Sequence, residues 1–266
     1  MINCLAAKPQ RPSQLSNPYQ EPAMPAISLE VLEKLRAYDT PTICNVIELF
    51  DVRPRTSGYM DARIRACFPE MPPVVGFAST ATFRASEAPL SGPDIYGSLN
   101  LQVESFGTLS GPAIVVFQDL DDPAVAATFG EVMCTTYQTY GSVGLITSGA
   151  GRDLDQVRKI GYSVFTNGAI CSHGYCHIPD VNVPVRVGGL IVRPDDLLHM
   201  DVNGVTNIPK EIAAEVAEAC EAYVAAEMAT LNGLHAYRQD GDAGKLQEAK
   251  KESKRLMQAL KERVRR

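Results

Sequence analysis

Two short stretches carry residue types suited to chemistry. The first is Gly130-Glu131-Val132-Met133, a glycine and an acid at the start of a helical pattern. The first N–H groups of a helix have no partner inside it, and with the macrodipole they attract anions. Gly130 lets a ligand come close to the backbone, so the amides around Val132 and Met133 are candidates to hold a carboxylate. The second stretch is Arg152-Asp153, which follows the Gly149-Ala150-Gly151 turn and lies twenty-two residues beyond Gly130-Glu131. An arginine can grip a carboxylate through two parallel bonds. An aspartate beside it can ligate Mg²⁺ or Mn²⁺, which favour oxygen ligands and keep several waters. Taken singly, each stretch also fits a plain structural role: a helix start at Gly130, a helix cap at Asp153, a surface ion pair at Arg152.

A third cluster is Cys171-Ser-His173-Gly-Tyr-Cys176-His177, which contains two of the four histidines of the chain. Cysteine and histidine at this density can bind zinc, but the spacing is not that of a finger. On an extended strand these side chains would point to alternating sides. A place in a substrate pocket or interface, an ordinary structural role and a second metal site all stay open. His199, near a strand end, reads as structural.

The elements that must position these residues follow from periodicity. Leu29, Leu32 and Leu35 define a helix ahead of Thr40-Pro41, where Pro41 suits a first turn with Thr40 as cap. The next helix carries Ile43, Val46, Ile47 and Phe50. Residues 112–117 read as a buried strand, 131–140 as a helix stopped by Gly141, 143–146 as a strand, and 154–160 as a short helix closed by Gly161. Strands follow near 163–165, 183–187, 190–192 and 197–200, with Gly188-Gly189 as a hairpin turn. A long helix is expected from 208–210 to about 231, then a linker over 239–244. A last helix follows, with Leu256, Leu260 and Val264 on one face. Ends of buried strands are common places for ligands, and Arg152-Asp153 sits just after one.

Composition sets the frame. The 266 residues suffice for one large domain with extensions, and 45% hydrophobic with 21% charged residues is usual for a globular protein. No apolar run approaches the roughly 20 residues of a membrane span, so a membrane role is not expected. Seven scattered cysteines make no disulfide framework, and a reducing cytoplasm is the simplest location. The net charge of −6 hides an asymmetry: residues 245–266 hold nine Lys/Arg against three Glu, a tail of +6 on a body of −12. The acidic body makes nucleic acid an unlikely main partner. The expected organisation is a proline-rich leader without fold over 1–26, one domain over 27–236, and a linker with a basic helix over 237–266.

Taken together, Gly130-Glu-Val-Met, Arg152-Asp153, Val183-Pro-Val-Arg-Val-Gly-Gly, Val192-Arg-Pro-Asp-Asp and Asp201-Val-Asn-Gly-Val-Thr-Asn-Ile-Pro resemble one family, and Asp39-Thr40-Pro41-Thr42 looks like its opening motif. It is the RraA-like family, which includes class II 4-hydroxy-4-methyl-2-oxoglutarate aldolases and regulators of ribonuclease E activity. The likeness covers roughly residues 29–232. It implies an α/β fold of the swivelling β/β/α type, a sandwich with mixed sheets, N-terminal helices and a long C-terminal helix. It also implies a homotrimer or dimer of trimers with sites between subunits. By the same resemblance, Gly130, Glu131, Val132 and Met133 form the carboxylate-binding loop, and Glu131 orients a water. Arg152 binds substrate, and Asp153 ligates Mg²⁺ or Mn²⁺. A further acid is implied from a neighbour's C-terminal helix, with Glu227 first and Glu221 next. His173 and His177 are candidates for the part of a substrate beyond its pyruvate unit.

The implied activity is that of a metal-dependent lyase. It would cleave or decarboxylate a 2-keto acid through the enolate of pyruvate. The alternatives are a non-catalytic, protein-binding regulator of ribonuclease activity, or a hydratase or isomerase working through a similar enolate on the same scaffold. The chain departs from the family pattern at Gln156, where the aldolases carry an acid, and in the Cys171 to His177 segment.

Overall fold

The computed structural model describes residues 27–91 and 95–265, so the expected leader lies outside the described residues. The chain opens with α1 (Leu29–Arg36) and α2 (Thr40–Phe50). Ser28 caps α1. The cap of α2 is Asp39 rather than the expected Thr40: Asp39 Oδ1 accepts the Thr42 N–H at 2.9 Å. Thr40 is committed elsewhere. Its N–H donates to Asp201 Oδ2 at 2.9 Å, and its hydroxyl lies 2.9 Å from His199 Nδ1. The other ring nitrogen of His199 meets the Leu35 carbonyl at 3.1 Å, so this buried histidine is a structural tie.

A seven-stranded sheet forms the centre. In chain order its strands are β1 (Arg65–Ala66), β2 (Val74–Phe83), β3 (Ala113–Asp119), then β5 (Gly144–Thr147), β7 (Ser163–Thr166), β10 (Leu197–Asp201) and β11 (Gly204–Ile208). Their spatial order is β1-β7-β5-β3-β2-β10-β11. The four middle strands β7, β5, β3 and β2 run parallel, and the flanking pairs are antiparallel. Two small ribbons complete the strands. β4 (Ala127–Phe129) pairs in parallel with β6 (Ala150–Gly151), and β8 (Val185–Val187) forms the Gly188-Gly189 hairpin with β9 (Leu190–Val192).

Strand alternation sorts the core. Val115 and Phe117 of β3 face a cluster with α3 (Ile95–Ser105), α4 (Glu131–Thr139) and α5 (Leu154–Lys159). Ile114 and Val116 of the same strand face the β8–β9 ribbon. With both faces covered, β2 is buried almost throughout. Its sequence, Val-Val-Gly-Phe-Ala-Ser-Thr-Ala-Thr-Phe, mixes small and hydroxyl residues among the apolar ones, so periodicity alone does not reveal it.

The C-terminal part differs from expectation. Residues 204–208 are the edge strand β11, and Lys210–Ile212 form one 3₁₀ turn. The long helix α6 then runs Ala213–Asp240, past the expected domain boundary at 236. The link to α7 (Ala243–Val264) shrinks to Gly241, in the left-handed region at φ 70°, and Asp242, which caps α7. The two helices form an antiparallel hairpin. Gly233 sits against Ala249, where a Cβ would overlap it, so glycine permits the close approach. Leu260 is buried with α1, α2 and α6, and Met257 and Val264 pack beside it. The basic helix is thus part of the body. Among the described residues no helix is long and apolar enough to cross a membrane.

Candidate active site

The β4–β6 ribbon explains why stretches far apart in sequence meet. Each strand ends in a turn that starts a helix: β4 leads through Gly130 into α4, and β6 leads through Arg152-Asp153 into α5. Parallel pairing sets the two turns side by side, and the Arg152 N–H donates to the Phe129 carbonyl at 3.1 Å. Glycine is required at both crossings. A Cβ on Gly151 would overlap the Phe129 ring, and one on Gly130 would lie 2.6 Å from Asp153 Oδ2.

Asp153 occupies the cap position of α5, yet its side chain makes no capping bond there. Its backbone is left-handed at φ 55°, a conformation that aspartate tolerates better than most residues. The carboxylate turns instead to the start of α4, where Oδ2 accepts the Glu131 N–H at 3.0 Å. Arg152 Nε is 3.8 Å from the same oxygen, and both side chains are about one-third exposed. Among the described residues no hydrogen bond falls on Asp153 Oδ1 or on the N–H groups of Val132 and Met133. One helix start therefore already holds a carboxylate of the chain and keeps two donors for another.

These groups line a cavity of about 290 Å³, together with His173, Cys176, Leu99 and Thr128. Of the predicted residues, Gly130, Val132, Met133, Arg152, Asp153 and His173 meet here. Glu131 contributes its N–H to the arrangement; its side chain is exposed and absent from the cavity wall. His177 is not in the wall either. It pairs with Arg84 through both backbone groups, at 2.9 and 3.1 Å, which turns it from the cavity. Glu227 is exposed on α6, beside Tyr223. That helix packs with α1, α2 and α7 rather than on α4 and α5. Burial, reinforced by Glu227, pushes the Tyr223 hydroxyl up to about 12. Gln156 is exposed on α5.

Cys176 was not among the predicted pocket residues, although the cysteine–histidine density had marked its segment. Its Sγ lies 3.9 Å from His173 Nδ1. Burial pushes the thiol up, and Arg152 opposes that. Among the described residues no three His, Cys, Asp or Glu side chains gather into a metal-binding cluster. The zinc alternative for this segment therefore finds no third ligand there.

Larger cavities exist but offer other chemistry. One of about 620 Å³ beside α1 is lined by Glu33 and Arg36 among mostly apolar and backbone surfaces. Another, of about 470 Å³, lies where β3, β5 and β7 end, with Asp119, Arg63 and Arg186 in its wall.

A mixed sheet with four parallel strands at its centre, and a cavity where the two turns of one ribbon meet, defines the class of molecule. The family model described as RraA-like, Aldolase/RraA, matches residues 40–206, and the chain belongs to that family. A relative from Halalkalibacterium halodurans, provisionally named a 4-hydroxy-4-methyl-2-oxoglutarate aldolase, is 31% identical over 102 residues. Those residues are 38% of this chain and 49% of that protein. The match thus spans about half the length of that relative. An uncharacterised protein from Pseudomonas syringae pv. tomato superposes with a TM-score of 0.65 at 20% identity, over 88% of this chain and 98% of its own. Streptomyces coelicolor RraAS2, described as an unusual member of the RNase ES inhibitor RraA family, superposes with a TM-score of 0.58 at 20% identity, over 72% and 91%. The expected RraA-like α/β fold is the fold of this chain.

Proposed function

We propose that the chain is a divalent-metal-dependent carbon–carbon lyase acting on a 2-keto acid that contains a pyruvate unit. The observation that carries this reading is the turn of Asp153 away from its own helix, into the cavity that also holds Arg152 and the Val132 and Met133 amides, which are unbonded among the described residues. The donor set fits a hard cation. Among the described residues Asp153 keeps one carboxylate oxygen without a partner, and Mg²⁺ or Mn²⁺ accepts a single carboxylate with waters filling the remaining positions. When bound, such a cation supplies Lewis acidity to the 2-keto group.

The residues of the chain do the rest. Val132 and Met133 offer N–H groups to the substrate carboxylate, and Arg152 offers its guanidinium. Fixing the carboxylate aligns the breaking C3–C4 bond with the carbonyl π-system. The Glu131 N–H holds Asp153 in place. Leu99 and Phe129 supply the apolar wall that limits water. Cleavage of a 4-hydroxy-2-oxo acid and decarboxylation of oxaloacetate both release the enolate of pyruvate, so one site serves both reactions. A homotrimer or dimer of trimers would bring an acid such as Glu227 from a neighbouring α6 to this cavity. Light scattering on the purified protein tests that assembly.

The test of activity is pyruvate release from 4-hydroxy-4-methyl-2-oxoglutarate and from oxaloacetate, with Mg²⁺ or with EDTA. Turnover that EDTA abolishes and Asp153→Ala lacks is the expected result. Release no faster than with the metal alone overturns the reading and favours a ribonuclease-binding regulator, which capture of ribonuclease E at low salt would reveal.

A further inference from the structure

We propose that His173 is the base that removes the hydroxyl proton of a 4-hydroxy-2-oxo acid, an assignment that rests on the lyase reading. Three observations carry it. First, His173 stands in the wall of the cavity that holds Arg152, Asp153 and the Val132–Met133 amides. Second, its tautomer is set by geometry. Nδ1 lies 2.8 Å from the Gly174 carbonyl, which can only accept, so Nδ1 carries the proton and Nε2 is the basic nitrogen. Third, the loop that carries it is tied down on both sides. The Ala127 N–H donates to the Ser172 carbonyl at 2.7 Å, and the Tyr175 N–H donates to the Ala85 carbonyl at 3.0 Å. Gly174 is left-handed at φ 53°, and a Cβ there would lie 2.6 Å from the Ala85 carbonyl oxygen. A loop pinned through a glycine fixes the backbone that carries the exposed His173, and the Nδ1 contact with the Gly174 carbonyl orients its ring.

The pinned base complements the rest of the cavity. Arg152 and the amides take the carboxylate end of a substrate, and no acid stands at position 156, where Gln156 faces solvent. In the cleavage step Nε2 takes the proton from the C4 hydroxyl. The electron pair of that O–H bond becomes the second C4–O bond, the C3–C4 bond breaks, and its pair moves into the 2-keto group. The products are a ketone and the enolate of pyruvate. The proton on Nε2 then passes to C3 of the enolate, giving pyruvate and restoring the neutral ring. Decarboxylation of oxaloacetate involves no hydroxyl proton and needs no such base.

That difference gives the test. His173→Asn keeps a donor near the position of Nδ1 for the Gly174 carbonyl while deleting Nε2. Both pyruvate-releasing reactions are measured for the intact protein and the variant. The expected result is a fall of about 10²–10³-fold in kcat for cleavage, at little change in KM, with oxaloacetate decarboxylation maintained. Equal loss of both reactions makes His173 structural and overturns the assignment; so does retention of both. Decarboxylation without cleavage by the unmodified protein overturns the assignment and leaves the lyase reading standing. Turnover of neither compound overturns both.

Discussion

Two carboxylates, Asp119 at the end of β3 and Asp153 two residues beyond β6, live under opposite conditions. Asp153 has an amide at 3.0 Å, a guanidinium at 3.8 Å and an open face toward a cavity. Asp119, the last residue of β3, has one oxygen bonded to the Asp121 N–H at 3.0 Å. Its Oδ2 is buried without any partner among the described residues. Burial, with Asp121 and Asp122 nearby, raises the Asp119 carboxyl to about 6. Glycine matters at both places, since a Cβ on Gly130 or on Gly149 would press on the respective Oδ2. The same local device, a carboxylate packed on a glycine, is thus partnered where an N–H and a guanidinium stand beside it. Where they are missing, it stores a pH-dependent cost.

The same substitution at the two positions should therefore give opposite results. Asp153→Asn keeps an acceptor for the Glu131 N–H but removes the charge, so pyruvate release should fall by about 10²-fold or more. Its melting temperature should change little. Full activity in Asp153→Asn would erase the distinction between the two carboxylates. Gly130→Ala is the next largest effect. Its Cβ forces Asp153 Oδ2 to move, and a displacement of about 1 Å at a reacting centre costs about 10²-fold. An unchanged rate, with Asp153 unmoved in a crystal structure of the variant, would break that expectation.

Asp119→Asn should be the mildest change in activity and the clearest in pH dependence. The folded state holds its proton up to about pH 6, whereas the ordinary value is 3.8. The contribution of Asp119 to stability is therefore fully present below about pH 3.8. It is lost as pH rises through about 6, because the unfolded chain releases the proton more readily. Solvent access discounts the loss to about 1 kcal/mol. Melting curves from pH 4 to 7 should show the Asn variant gaining on the parent protein as pH rises. Parallel curves would mean that Asp119 finds a partner in solution.

Much of the candidate site's geometry was legible because its signals are local. A glycine before a helix and an Arg-Asp pair after a Gly-Ala-Gly turn can be read without the fold. That the Glu131 N–H, rather than its side chain, would meet Asp153 could not be read, because this depends on the register of the β4–β6 pair, a contact between residues 22 apart. His173 and His177 show the same limit at closer range. Both sat in one marked segment, and the bridge between Arg84 and His177 decides which of them faces the cavity. In the fold, the helices read near 29–35, 41–50, 131–140 and 154–160 and the short β-branched strands followed their periodicity, whereas α3 (Ile95–Ser105) was not read at all. Strand β2 escaped because it is buried on both faces and so has no alternation to read. The end of α6 escaped for another reason. Gly233 and Asn232 look like helix breakers, but the packing of α7 on Gly233 outweighs the local propensity.

The α6–α7 hairpin also sets a timetable. Leu35, Val46 and Ile47 of the first two helices share a cluster with Leu260 of the last, and Arg265 Nε donates to the Leu49 carbonyl across 216 residues at 3.1 Å. At about 5–20 residues per second, synthesis separates the two ends of that bond by about 10–40 s. During this interval the apolar faces of α1 and α2 wait for their final cover. The sheet and the β4–β6 ribbon have been made by then, so the half of the molecule that carries the candidate site can order itself first. A ribosome stalled before residue 243 would hold a chain with its β4–β6 ribbon made and one apolar flank uncovered, a natural client for a chaperone.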